Sequence, residues 1–326
     1  MKFILFFTFI LNLATAHADI SLYTDRPTER MQFVADEYFK TTGQRVIILE
    51  LPWRDLKSRL EAEGTNSPVD VIFVKDAVYL NELQRDGRLA ELNSSFVRNN
   101  VHTSMQTNYY TGVTFRARTL IYESSLDVSA INTYADLAKP EYQGALCLRT
   151  SNSAYNEALI ADLIGRHSYE GAKDILSGWL NNRLDTTFVY PNDNSIIADV
   201  ASGRCAFGIT NSYYLGLQLL QNPALPVSIK FLEQRTGGVH TNGTVAAISM
   251  TSQQKDSARG FVEFLLREDI QIYLTEAHQD YPANRNVSFP QAIKSWGTFD
   301  MNLLNWSQLS ANIEQGRQLV QEIGYL

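Results

Sequence analysis

The stretch Ala206-Phe207-Gly208-Ile209-Thr210-Asn211-Ser212-Tyr213-Tyr214 passes from an apolar run into the polar start of a helix. The run is short and β-branched enough to be a buried strand, and Asn211 or Ser212 suits the N-cap of a helix from Tyr213 through Leu220. Both tyrosines then fall in a first helical turn. That turn carries unpaired backbone N–H groups and the positive end of the helix dipole, so it favours negative charge, phenolate included. In an open α/β sheet the same position faces the ligand crevice. Taken alone, the pair is read more simply as one packed tyrosine beside one exposed one.

Working outward from this strand-to-helix turn, the chain repeats the α/β theme. A strand at Ile20 to Tyr23 leads through Thr24-Asp25-Arg26-Pro27 into a helix with Met31, Val34 and Tyr38 on one face, stopped by Gly43. Val46 to Leu49 is the next strand, residues 55–63 a second helix closed by Gly64, and Val69 to Val74 a third strand. Strand, helix and strand at this spacing imply a parallel sheet. A long strand, Val113 to Tyr122, puts Arg116 and Arg118 on one face by the period-2 rule. Side by side they suggest an anion site, or equally a solvated edge.

From Tyr134 a second α/β unit begins. Cys147 ends a strand, and a polar turn leads into a helix over residues 155–164, so Tyr155 stands at another helix N-terminus. A short helix over 195–202, stopped by Gly203, returns the chain to Cys205 and the tyrosine pair. After Thr236-Gly237-Gly238, a buried strand runs from Val245 to Met250. A Thr251-x-x-Gln254 capping box then starts a helix with Ala258, Phe261, Val262, Leu265 and Leu266 on its apolar face. No internal repeat or Gly/Ser-rich linker interrupts the sequence. Two sheets joined by long strands predict a hinged, two-lobed α/β protein, each lobe a mostly parallel sheet flanked by helices, with its site between the lobes. The expected division is 19–115 plus 238–288 for one lobe and 116–237 plus 289–326 for the other.

The first residues give a lysine, an apolar core and Ala16-His17-Ala18, the pattern of a secretory signal peptide cleaved after Ala18. The apolar run is too short to span a bilayer, which predicts a soluble exported protein with no membrane insertion. A net charge of −7 argues against nucleic acid or an anionic membrane as partner. Cys147 and Cys205, each in a strand-like run, fit one disulfide tying neighbouring strands in an oxidising compartment. Two free thiols on a soft metal would be the alternative, but they lack a third soft ligand nearby.

The residues offer little to an enzyme. His102, His167, His240 and His278 show no H-x-x-x-H or H-E-x-x-H spacing, and neither G-x-S-x-G nor a phosphate-binding glycine loop occurs. The chain does offer the phenols Tyr155, Tyr213 and Tyr214. A phenol is a poor base at neutral pH but a strong ligand once a highly charged cation displaces its proton, and three phenolates neutralise a trivalent ion. An aromatic box stacking an organic cation, of the polyamine or thiamine type, uses the same side chains.

With these stretches in order, the chain resembles the ferric-ion-binding substrate proteins of bacterial ABC importers, in the type II periplasmic binding protein class. The resemblance is carried by Leu22-Tyr23-Thr24-Asp25-Arg26, Phe115-Arg116-Ala117-Arg118, Tyr134-Ala135-Asp136-Leu137-Ala138-Lys139-Pro140, and Cys147 through Asn156. It continues with Ala201-Ser202-Gly203-Arg204-Cys205, Asn211-Ser212-Tyr213-Tyr214 and Tyr281-Pro282-Ala283-Asn284. It implies iron(III) as cargo on Tyr155, Tyr213 and Tyr214, with an anion such as carbonate or citrate near Arg116 and Arg118. It also implies a periplasmic monomer that performs no catalysis and serves an inner-membrane permease and its ATPase. Many members carry His-Tyr after the first-turn arginine, where this chain has Pro27-Thr28. The vacated positions then fall to water, to an anion, or to a carboxylate such as Asp25 or Glu29, with Tyr23 and Arg26 as further cleft residues, and their loss leaves room for another hard metal or an iron chelate as cargo.

Overall fold

The computed structural model describes residues 18–185, 189–302, 304 and 306–325. The leader expected over residues 1–18 therefore lies outside the described residues except for Ala18. The N-terminal part runs β1 (Ile20–Thr24), α1 (Thr28–Thr42), β2 (Val46–Glu50), α2 (Trp53–Glu63), β3 (Val71–Val74), α3 (Ala77–Arg85), α4 (Ser95–Asn100) and the long strand β4 (Tyr110–Glu123). Next come β5 (Leu146–Cys147), α5 (Ala154–Asn182), α6 (Asp193–Ala201), β6 (Phe207–Asn211), α7 (Ser212–Gln221) and β7 (Val227–Lys230). The chain closes with β8 (Thr241–Ile248), α8 (Lys255–Phe264), α9 (Glu268–His278), β9 (Tyr281–Pro282), α10 (Gln291–Lys294) and α11 (Trp306–Glu322).

Local sequence explains the early elements. Helix α1 buries Met31, Val34 and Tyr38 and ends where Gly43, at φ 75°, takes the left-handed conformation and returns its N–H to the Phe39 carbonyl. Strand β3 is apolar throughout and buried throughout, as a strand covered on both faces must be. The Asp76 side chain caps α3 by accepting from the Val78 N–H.

The strands follow the order β2-β1-β3-β8-β4-β6-β5, with β7 and β9 also pairing to β4. Pairing is parallel where β1 meets β2 and β3 and where β5 meets β6, and antiparallel along β3–β8, β8–β4 and β4–β6. The sheet is thus mixed rather than mostly parallel, because β4 and β8 run through its middle in opposite senses. Strand β4 pairs with β8 from Tyr110 to Ala117, then with β6 from Arg118 to Tyr122. One core gathers Ile20, Leu22, Ile72, Phe261 and Leu265 on the first side of that change, and a second gathers Leu120, Leu146, Leu159, Leu163 and Trp179 beyond it. The molecule is a two-lobed α/β protein. Helix α11 lies across both cores, with Trp306 and Leu309 in the first and Leu319 in the second.

Some elements depart from their sequence signals. Helix α5 continues past residue 164 to Asn182, broken at Ser168 (φ 67°, ψ 172°), because Ala172, Ile175, Leu176 and Trp179 supply a second buried face. The Thr251-x-x-Gln254 box does not form. Helix α8 begins one residue after Gln254, whose amide instead donates to Asp70 and to the Asp19 carbonyl. Asn211 holds the N-cap position of α7 without capping it, since its Oδ1 accepts from the Asn242 amide of β8. Cys147 and Cys205 form a disulfide with Cα atoms 6.0 Å apart, beside the Leu146–Phe207 register of β5 and β6.

Candidate functional site

Tyr155 is the second residue of α5, whose start is fixed by Ser153 accepting from the Asn156 N–H. Tyr213 and Tyr214 are the second and third residues of α7. The fold brings these two helix N-termini to one place. The Tyr213 and Tyr214 ring centroids are 4.0 Å apart, and the Arg116 guanidinium lies 5.2 Å from the Tyr155 centroid and 5.7 Å from that of Tyr213. Arg149 approaches Tyr155 at 5.3 Å. Tyr155 and Tyr213 are 6% and 5% exposed, while Tyr214 is half-buried.

The electrostatics are those of weakly acidic phenols among cations. Burial pushes the Tyr213 hydroxyl well above its ordinary range, Tyr155 and Tyr214 add to the shift, and Arg116 and Arg26 oppose it. Tyr214 is raised chiefly by burial and then by Tyr155. Burial alone would push the Arg116 guanidinium down, but Tyr155, Asp280, Tyr213 and Asp76 around it more than reverse this. Asp76, beside it, is pushed up to about 7 by burial against the pull of Arg116. Tyr213 and Tyr214 are therefore held protonated until something more strongly charged than a proton arrives.

The two arginines of the R-A-R stretch have different tasks. Arg116 donates to Thr244 Oγ1 at 3.1 Å and to the Lys75 carbonyl, leaving a buried Nε with no partner. Arg118 is committed to the scaffold: Nε donates to Asn156 (2.9 Å), Nη1 to Asp193 (3.0 Å) and Nη2 to the Ile209 carbonyl (3.2 Å). Asp193 also accepts from Arg149 at 2.7 Å and from the Asn211 N–H, so one carboxylate ties α6, β6 and the start of α7 together. Neither arginine lies on a solvated edge, since both are fully buried. They share a face of β4 but fall on opposite sides of its change of partner.

The first-turn residues are also dispersed. The Tyr23 hydroxyl donates to Glu63 and accepts from Arg59, outside the tyrosine cluster. Asp25 accepts from the Lys75 N–H at 2.8 Å and lies 3.5 Å from its Nζ. Thr28 bonds Glu50 through both its N–H and hydroxyl, and Glu29 is exposed. Arg26 is buried and opposes the rise at Tyr213, while the Tyr79 hydroxyl of α3 is pushed up chiefly by burial, with Asp25, Asp76 and Tyr155 adding to it.

Several site residues were not singled out from the sequence. Arg30 stands in the first turn of α1, four residues after Arg26, which lies in the turn before the helix. Its Nη1 is buried without a partner, and it interacts electrostatically with Tyr213, Asp280 and Tyr155. Asp280 and His278, from the end of α9, likewise hold buried atoms without partners, as do Asn211, Ser212 and Asn242. No signal in the sequence joins residues 278–280 to the tyrosines. Among the described residues no cluster of three or more His, Cys, Asp or Glu side chains stands ready for a metal. The hard oxygen donors gathered here are the three phenols and the Asp280 carboxylate.

The family model for bacterial extracellular solute-binding proteins matches residues 63–312. The chain is 26% identical over 316 residues to iron uptake protein A1 of Synechocystis sp., covering 94% of this chain and 87% of that one. Among solved structures it resembles a Trichodesmium protein (IdiA, FutA) in complex with iron and citrate, at a TM-score of 0.90 and 28% identity over 95% of this chain and all of the other. It also resembles a ferric binding protein from Campylobacter jejuni, at 0.86 and 27% over 94% of this chain and 100% of that one.

Proposed function

Because the chain belongs to the family of bacterial extracellular solute-binding proteins, we propose that it captures ferric iron between its lobes and delivers it to an ABC importer. Tyr155, Tyr213 and Tyr214 bind the ion as phenolates, and a small anion such as carbonate or citrate completes the coordination beside Arg116. The carrying observation is the convergence of Tyr155 and Tyr213, from the first turns of α5 and α7, on a buried guanidinium with a free Nε, with the Tyr214 ring 4.0 Å from that of Tyr213. The helix dipoles and Arg116 favour phenolate once a trivalent cation displaces the protons. An organic cation, unlike iron(III), does not displace the phenol protons, so it would meet Arg26, Arg30, Arg116 and Arg149 without gaining phenolate charge to offset them.

In this reading residues 19–115 plus 238–288 form one lobe and 116–237 plus 289–326 the other. The chain works as a periplasmic monomer after cleavage behind Ala18, an inner-membrane permease and its ATPase receive the iron, and the protein itself catalyses nothing. Titrating purified apoprotein with ferric citrate should produce a visible phenolate-to-metal charge-transfer band. Each of Tyr155→Phe, Tyr213→Phe and Tyr214→Phe should weaken binding by about tenfold or more, the loss of one charged-group interaction. Variants that keep both band and affinity would sink the assignment.

A further inference from the structure

The turns that follow β1 and β3 bring Asp25, Lys75, Asp76 and Tyr79 together on the first lobe. The Lys75 N–H donates to Asp25 at 2.8 Å, and its Nζ lies 3.5 Å from the same carboxylate and 5.7 Å from the Tyr79 ring centroid. The Lys75 carbonyl accepts from Arg116, which stands 5.2 Å from the Tyr155 ring, so one fully buried guanidinium joins this wall to the phenols of the other lobe. The other donors of the first wall are engaged or uncharged. Asp25 is paired with Lys75, and Asp76 caps α3. Asp280 accepts from Thr114 at 2.9 Å and offsets Arg30 and Arg116. The neutral His278 imidazole brings no charge to offset the two guanidiniums that act on it, Arg30 and Arg26. Tyr79 differs. Its half-buried ring is stacked on Trp53, with centroids 4.4 Å apart and planes within 9°, while its hydroxyl has no hydrogen-bond partner among the described residues.

Tyr79 is the third residue of α3, as Tyr214 is the third residue of α7. A phenol in a first helical turn gains from the helix dipole once it loses its proton. The charges that act on Tyr79 come from both lobes, Asp25 and Asp76 from its own and Tyr155 and Glu157 from the other. Negative neighbours that hold a proton on the hydroxyl also draw a cation toward it. Resting on the ferric reading above, we propose that Tyr79 is a fourth phenolate ligand, supplied by the first lobe across the cleft from Tyr155. Iron(III) displaces the Tyr79 proton to water as the metal–oxygen bond forms, and the small anion takes what coordination remains. The ligand missing at Pro27-Thr28 is thus supplied from a different turn of the same lobe. An ion held by Tyr155, Tyr213 and Tyr214 on one wall and by Tyr79 on the other binds the closed arrangement better than the open one.

The test loads the whole mature protein with iron(III) supplied as ferric citrate and compares the parent with Tyr79→Phe, which keeps the ring on Trp53 and removes only the hydroxyl. The readouts are affinity and the charge-transfer absorbance per bound iron at saturation. Because the absorbance is normalised to bound iron, a fraction of unfolded variant cannot imitate a lost ligand. Tyr79→Phe should bind iron about tenfold or more weakly and lose about a quarter of the absorbance per iron, the share of one phenolate among four. Absorbance per iron equal to that of the parent would overturn ligation by Tyr79, whether or not the affinity falls, since a packing or hydrogen-bonding role changes affinity without removing a phenolate from the metal. A parent protein without a band would instead overturn the ferric reading itself, so the two failures are distinguishable.

Discussion

At the scale of single residues, the site is governed by which polar atoms are spoken for. Arg116 and Arg118 are two positions apart and look equivalent in sequence, yet Arg118 is spent on Asn156, Asp193 and a backbone carbonyl, whereas Arg116 keeps a free Nε beneath the phenols. The cations that leave room for an anion also act on their neighbours. His278 is held neutral down to about pH 3, first by burial and then by Arg30 and Arg26. Its folded-state value lies below the unfolded one, so its contribution to stability is fully present above about pH 6.5 and is lost as the pH falls toward 3. Urea unfolding of the apoprotein should therefore weaken through that window, by up to about 1.4 kcal/mol per pH unit from this group. The His278→Gln variant should show a shallower acid limb, and an unchanged limb would count against the assignment.

At the scale of elements, the helix starts carry the proposed ligands and their supports hold those starts in place. Helix α7 is positioned by β6, and β6 is fastened to β5 both by parallel pairing and by the Cys147–Cys205 bridge, 58 residues apart in sequence. Closing a loop of that length contributes about 4 kcal/mol in the chain-entropy account. A Cys147→Ser/Cys205→Ser double variant should lose stability of that order in denaturant titration. Its ferric affinity should fall less than in the tyrosine variants, because the hydrogen bonds of Asp193 still hold the start of α7. Packing is also tight behind the site. A Cβ on Gly208 of β6 would lie 2.3 Å from a methyl of Ile196 on α6, so glycine lets that helix sit down on the strand. The strand-to-helix turns at β6–α7 and before α5 were legible in the sequence, because short apolar runs followed by polar capping residues leave few alternatives. The capping details were not. Asn211 and Gln254 were drawn into long-range bonds with Asn242 and Asp70, which no local pattern signals.

At the scale of the whole molecule, the change of partner along β4 between Ala117 and Arg118 is the natural place for one lobe to turn against the other. The phenols stand on the second lobe, while Arg26, Arg30 and Tyr79 stand on the first. A cargo that touches both walls favours the closed arrangement by its differential affinity. Small-angle scattering of the apoprotein and of protein loaded with ferric citrate should show a smaller radius of gyration on loading, and Tyr213→Phe should abolish most of the change. Loading at full stoichiometry with no contraction would refute coupling between binding and closure.

The sequence by itself determined the α/β class, the placement of Tyr155, Tyr213 and Tyr214 in first helical turns, the R-A-R strand and the pair of cysteines. These depend on periodicity, capping chemistry and residue type, all properties of neighbours along the chain. Only the tertiary structure decided that β4 changes partner between the two arginines, so that one keeps an unpartnered Nε beside the tyrosines and the other is bonded into the scaffold. It alone set Arg30 and the 278–280 segment beside the tyrosines. Those relations join residues from opposite ends of the chain, and their energy lies in burial and charge across that distance rather than in any local preference.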